Sequence, residues 1–77
     1  MSGRPQMSRA LAKEYRICIE DAVGILDFII NDMGDRLVGG ETLHIDRLGS
    51  FSVEVKNGKR TVDFRPSKFL LERLDGE

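Results

Sequence analysis

The side chains of this chain best suited to chemistry are cationic and hydroxyl groups that follow one another near its C-terminal end: Lys56, Lys59, Arg60, Arg65, Ser67 and Lys68. No nucleophile and base accompany them, so their chemistry is attraction to negative charge and not bond making. They belong to a stretch, Gly40 to Arg73, that couples a compact hairpin to a basic helix start, the organisation of a binding module. Charge is unevenly spread. Residues 56–68 carry a balance of +4, residues 1–18 carry +3 through Arg4, Arg9, Lys13 and Arg16 against Glu14, and residues 19–41 carry −5. The formal net charge of −1 therefore conceals a basic and an acidic part. Such a distribution governs association more than the total does, although runs this modest also fit ordinary solvated charge.

Groups that would suggest an enzyme or a metal centre do not assemble. His44, in the expected first strand, has no second ligand or nucleophile and reads as a surface or structural histidine. Asp32, Asp35 and Asp46 complete no mechanism. Gly39-Gly40 follows no strand and precedes no Gly-Lys-Ser/Thr, so it reads as a turn, not a phosphate-binding loop. Cys18 is the single cysteine, and one cysteine with one histidine is too few for a usual zinc site. The expectation is a non-enzymatic protein with no cofactor, no metal and no small-molecule substrate. Its apolar runs are too short to cross a membrane and its basic start leads into no signal-peptide core, which makes a cytoplasmic protein the expectation.

The elements that must position the basic groups are legible from periodicity. Phe51, Val53 and Val55 alternate with Ser52, Glu54 and Lys56, the pattern of a half-buried strand. Asn57-Gly58 then supplies the two positive-φ positions of a type I′ turn. A two-residue loop there sets Lys56 against Lys59, Val53 against Val62 and Phe51 against Phe64. Pro66 ends the returning strand and suits the first turn of a short final helix. Upstream, Ile19 to Val38 is the clearest helix. At about 100° per residue, Ile19, Ala22, Val23, Leu26, Ile29, Ile30, Met33 and Leu37 share one broad arc. Ile25 and Phe28 fall outside it, so this helix needs cover on more than one side, which a partner subunit would provide. Glu20 and Asp21 suit its first turn and Gly39-Gly40 its end. Ser8 to Tyr15 forms a shorter helix, and a break at Arg16-Ile17-Cys18 competes with one continuous helix from Ser8 to Val38. Met1 to Gln6 reads as a loose terminus of a single domain over residues 1–77.

Three segments then carry a family resemblance. Gly40-Glu41 before the first strand, Leu48-Gly49-Ser50-Phe51 leading into Ser52-Val53-Glu54-Val55, and Phe64-Arg65-Pro66-Ser67-Lys68 occur in order and at matching separations. Together with the order helix, helix, three strands, helix, they make the chain similar to the bacterial histone-like HU and integration host factor (IHF) family of DNA-binding proteins. The resemblance runs from about Met7 to Val55 and resumes from Phe64 to Leu74. It implies an α+β fold that closes as an intertwined dimer. Leu48, Phe51 and Phe64 match apolar positions of the family's dimer core, joined by Leu26, Phe28, Ile29 and Met33 of the long helix. It also implies double-stranded DNA as the partner, association with the nucleoid, and a homodimer or a heterodimer with an HU or IHF relative. Arg65, Ser67 and Lys68 match the motif at the start of the last helix, where free N–H groups and the helix dipole favour a phosphate.

One part of the family pattern is missing. The long basic arm with its intercalating proline has no counterpart, because Val55 passes through Lys56-Asn57-Gly58-Lys59 directly back to Arg60. Strong kinking by a wedge is therefore not expected. Two readings follow: backbone binding to DNA through Lys56, Lys59, Arg60, Arg65, Ser67 and Lys68 with little sequence preference, or a protein-interaction module that kept the dimer fold and lost DNA binding.

Overall fold

A computed structural model describes residues 2–76. Its elements are α1 (Arg4–Tyr15), α2 (Ile19–Val38), β1 (Leu43–Ile45), β2 (Gly49–Lys56), β3 (Lys59–Pro66) and α3 (Lys68–Asp75), with the strands in one antiparallel sheet of order β1-β2-β3. The α+β class and element order expected from the sequence are those observed. The chain forms two compact units, one ending at Asp32 and one beginning at Met33.

The helical unit corrects one expectation at its start and decides between two readings of the connection that follows. Helix α1 begins at Arg4, four residues before the expected Ser8, so Arg4 to Gln6 are helical and not part of a loose terminus. Pro5 sits in the first turn, where its missing N–H costs nothing, and the Gln6 Oε1 accepts from the Gly3 backbone N–H at 2.9 Å. Met1 lies outside the described residues. The second point concerns the connection. Arg16 adopts a left-handed conformation (φ 54°, ψ 46°), and the Ile17 N–H turns back to the Ala12 carbonyl at 3.1 Å, so two helices form and not one. This conformation costs a non-glycine residue about 1–2 kcal/mol. Arg4 ties the two helices of this unit through Asp27, with Nη1 2.9 Å from Oδ1.

Helix α2 ends where Gly39-Gly40 predicted. Gly40 (φ 86°) lets its N–H reach the Leu37 carbonyl while the Glu41 N–H reaches that of Arg36, each at 3.0 Å, the paired bonds of a Schellman motif. Its apolar arc is only partly covered. Ala22 and Leu26 are the only buried hydrophobic residues among those described, Ile19, Ile29 and Ile30 of the arc are exposed, and Phe28, outside it, is 70% exposed. So small a buried set cannot offset the entropy of ordering this chain.

In the second unit the hairpin has the expected register: Lys56 opposes Lys59, Val53 opposes Val62 and Phe51 opposes Phe64. Asn57 (φ 53°) and Gly58 (φ 76°) supply the two positive φ angles of the turn. The Phe51 and Phe64 rings lie 4.8 Å apart, within the range of favourable aromatic pairs. Pro66 is the last residue of β3, not part of the final helix. Ser67 caps α3 instead, its Oγ accepting from the Leu70 N–H at 3.1 Å. Gly49 is obligatory, since a Cβ there would collide with the Arg65 carbonyl and stand 2.9 Å from the Phe64 ring.

Candidate functional site

Strand register decides which of the basic residues can act together. Side chains alternate between faces, so cross-strand partners share one. One face carries the pairs Phe51–Phe64, Val53–Val62 and Val55–Arg60; the other carries Ser50–Arg65, Ser52–Asp63, Glu54–Thr61 and Lys56–Lys59. Lys56, Lys59 and Arg65 thus share the polar face. Arg60 lies on the apolar one. There its Nη2 donates to the carbonyls of Val38 (2.9 Å) and Leu37 (3.3 Å), groups left without intrahelical donors at the negative end of α2. The structure therefore separates Arg60 from the phosphate set in which the sequence placed it.

The polar face holds two basic clusters. Lys56 and Lys59 flank the hairpin tip. Arg65, Ser67 and Lys68 stand at the other end of β3, about 20 Å from Lys59 at the usual rise per strand residue. Carboxylates lie between and beside them: Lys56 Nζ is 3.6 Å from Glu54, Arg65 Nε is 3.3 Å from Asp63, and Lys68 Nζ is 4.0 Å from Glu72. The pairing of Arg65 and Lys68 with Asp63 and Glu72 is the surface alternative to phosphate binding. Exposed pairs of this kind contribute about 0–1 kcal/mol, so they do not withhold these cations from a doubly contacted phosphate. Lys59 makes no ion pair among the described residues.

Beside the second cluster the surface is concave. A cleft of about 350 Å³ is lined by His44, Asp46, Arg47, Ser50, Arg65 and Ser67, together with Ile45, Gly49 and Pro66. Register assembles it. His44, Ser50 and Arg65 form one cross-strand row, and the His44 Nδ1 and Ser50 Oγ are 2.7 Å apart. Arg47 joins from the β1–β2 turn, closed by the Leu48 N–H to the Ile45 carbonyl at 3.0 Å. Its φ of 72° is left-handed, and its guanidinium lies 5.3 Å from the Phe69 ring centroid, a cation–π contact. Sequence reasoning passed over Arg47 and set His44 aside. The signal for His44 was the register itself, which puts His44 opposite Ser50 and Ser50 opposite Arg65; Arg47, in the turn, is placed by no strand pair.

The expected dimer-core residues are gathered less completely. Leu26 is buried, Met33 and Phe51 are half-buried, and Phe28, Ile29, Leu48 and Phe64 are exposed at 70, 45, 40 and 41%. Among the described residues no group of three or more His, Cys, Asp or Glu is placed to hold a metal ion, and no helix is long and apolar enough to cross a membrane.

A helix pair, a three-stranded antiparallel sheet and a capped final helix, with charge on one sheet face and the Phe51–Phe64 pair on the other, define a small α+β protein. The chain belongs to the HU and IHF family. It is 30% identical to the integration host factor subunit alpha of Rhodospirillum rubrum, over 94% of this chain and 84% of that protein. With the corresponding subunit of Ruegeria pomeroyi it shares 28% identity over 92% of its length and 87% of the relative. Among solved structures, a variant of HU from Thermotoga maritima superimposes with a TM-score of 0.84 and 27% identity, over 95% of this chain and 99% of that one. HU from an Anabaena HU–DNA cocrystal has the same fold, with a TM-score of 0.82 at 13% identity over 99% of this chain and all of that one. No family model matches the sequence.

Proposed function

We propose that this protein is an architectural DNA-binding protein of the nucleoid, a single HU/IHF-like domain that contacts the duplex backbone as a dimer with little sequence preference. The observation that carries the reading is the polar sheet face, which holds Lys56 and Lys59 at the hairpin tip and Arg65 at its other end, where Ser67 and Lys68 follow at a capped helix start. Flexible lysines and a helix N-terminus suit phosphate oxygens and read no base edges. A relative crystallised with DNA is consistent with the same ligand here. Dimerisation is supported by the uncovered apolar residues of α2 and of the sheet, Phe28, Ile29, Leu48 and Phe64, which a second copy or an HU or IHF relative would bury.

The competing reading, a protein-interaction module, is favoured by the short hairpin and by Glu54 and Asp63 on the same face. Fluorescence anisotropy of a labelled duplex of about 30 base pairs, titrated at several salt concentrations, separates the two. If Lys56, Lys59, Arg65 and Lys68 of both subunits each reach a phosphate, log K falls with log salt at a slope of roughly −7. Arg65→Glu/Lys68→Glu should abolish most of that binding. No binding by the wild-type protein even at low salt rejects the DNA reading in favour of the protein module.

A further inference from the structure

We propose that His44 is a further phosphate ligand of this protein, one that acts when its imidazole is protonated. The inference rests on the DNA-binding reading above and adds to it a residue and a dependence on pH. His44 lines the cleft beside Arg47 and Arg65, in cross-strand line with Arg65 through Ser50. The contact of Nδ1 with the Ser50 Oγ at 2.7 Å fixes the ring, and Nε2 makes no hydrogen bond among the described residues. A protonated ring therefore has a free N–H in a cleft that already holds two guanidinium groups.

The charges around it set the direction of the effect. The β1–β2 turn contributes Asp46 and Arg47, β3 contributes Arg65 with its neighbour Asp63 3.3 Å away, and Ser50 and Ser67 offer hydroxyls. A phosphate seated between Arg47 and Arg65 would bring negative charge beside the ring and favour its protonated form. Phosphate binding is then coupled to proton uptake, so affinity must rise as pH falls through the range in which histidine changes charge. The Arg47 guanidinium stacks over the Phe69 ring, a contact that favours its position at the cleft and so lowers the entropy lost on binding.

The test uses the full chain and the same labelled duplex at fixed salt, at about pH 6 and about pH 8. His44 is the single histidine, so substituting it removes the imidazole titration from the protein without altering any other. Wild-type protein should bind on the order of tenfold more tightly at the lower pH, as a charge-assisted bond at each of two clefts implies. His44→Gln should bind equally at both. His44→Lys, permanently charged, should hold the tight binding at pH 8. Binding by wild type that ignores pH, or a pH dependence that survives in His44→Gln, overturns the proposal and leaves the DNA-binding reading standing. Absence of binding at both pH values rejects the reading on which it rests. Circular dichroism of the variants, whose substituted side chain is exposed, checks that folding is unchanged.

Discussion

Arg60 and Lys59 are neighbours in the same strand, and the sheet gives them opposite work. Lys59 points to the polar face beside Lys56, with no ion-pair partner among the described residues; Arg60 points to the apolar face and binds the end of α2. The same division runs along the whole hairpin. One face pairs Phe51 with Phe64 and Val53 with Val62, so its interactions favour desolvation and a covering partner. The other pairs Ser50 with Arg65 and Lys56 with Lys59, which favours water, ions and anions. Positive charge is thus no guide to function in this hairpin until the face is known. The arginine on the apolar side is engaged within the fold, where its Nη2 donates to the Leu37 and Val38 carbonyls.

Substitutions on each face can break this comparison. The largest effect is expected at the aromatic pair: Phe64→Ala should cost about 3–5 kcal/mol in a dimer that covers it, read as a lowered midpoint in urea and loss of dimer by sedimentation. Retention of full stability would mean that the apolar face is not an interface. Next comes Gly49→Ala, where the added methyl meets the Arg65 carbonyl and the Phe64 ring; a loss of about 1–3 kcal/mol is expected from overpacking, measured by thermal unfolding. The smallest and most discriminating contrast is between the strand neighbours. Arg60→Gln should lower stability by about 1 kcal/mol through the lost carbonyl bonds and leave the salt slope of DNA binding unchanged. Lys59→Gln should alter stability by less than about 0.5 kcal/mol yet reduce the slope by about 1 per subunit. If Arg60→Gln lowers the slope instead, Arg60 contacts phosphate and the division between faces fails.

Much of this molecule is local in origin and could be read directly. Asn57-Gly58 has a steric preference for the turn it makes, so the hairpin register followed from two residues and the alternation around them. The end of α2 followed in the same way from Gly39-Gly40. The α1–α2 break falls at Arg16-Ile17-Cys18 as expected, but a continuous helix stayed open in the sequence because the left-handed Arg16 is of a type with no preference for that conformation. The start of α1 was misplaced because Gly3 and Pro5 read as a loose terminus, whereas proline is at home in a first turn and Gln6 supplies a partner for the Gly3 N–H. The candidate site was half legible. Its basic residues could be named, but the fate of Arg60 and the cleft around His44 and Arg47 depend on groups far apart along the chain.

By itself, then, the sequence determined the order of the elements, the hairpin pairing and the resemblance to the family, because each rests on short-range sterics, periodicity or motifs spaced along the chain. Only the tertiary structure decided which charges act and which are already engaged. Arg60 meets the Leu37 and Val38 carbonyls, and Arg47 meets Phe69, through contacts between residues 22 or 23 positions apart. Such contacts exist only once separate elements are packed, and an ionised group takes whichever partner the packing brings within hydrogen-bonding distance.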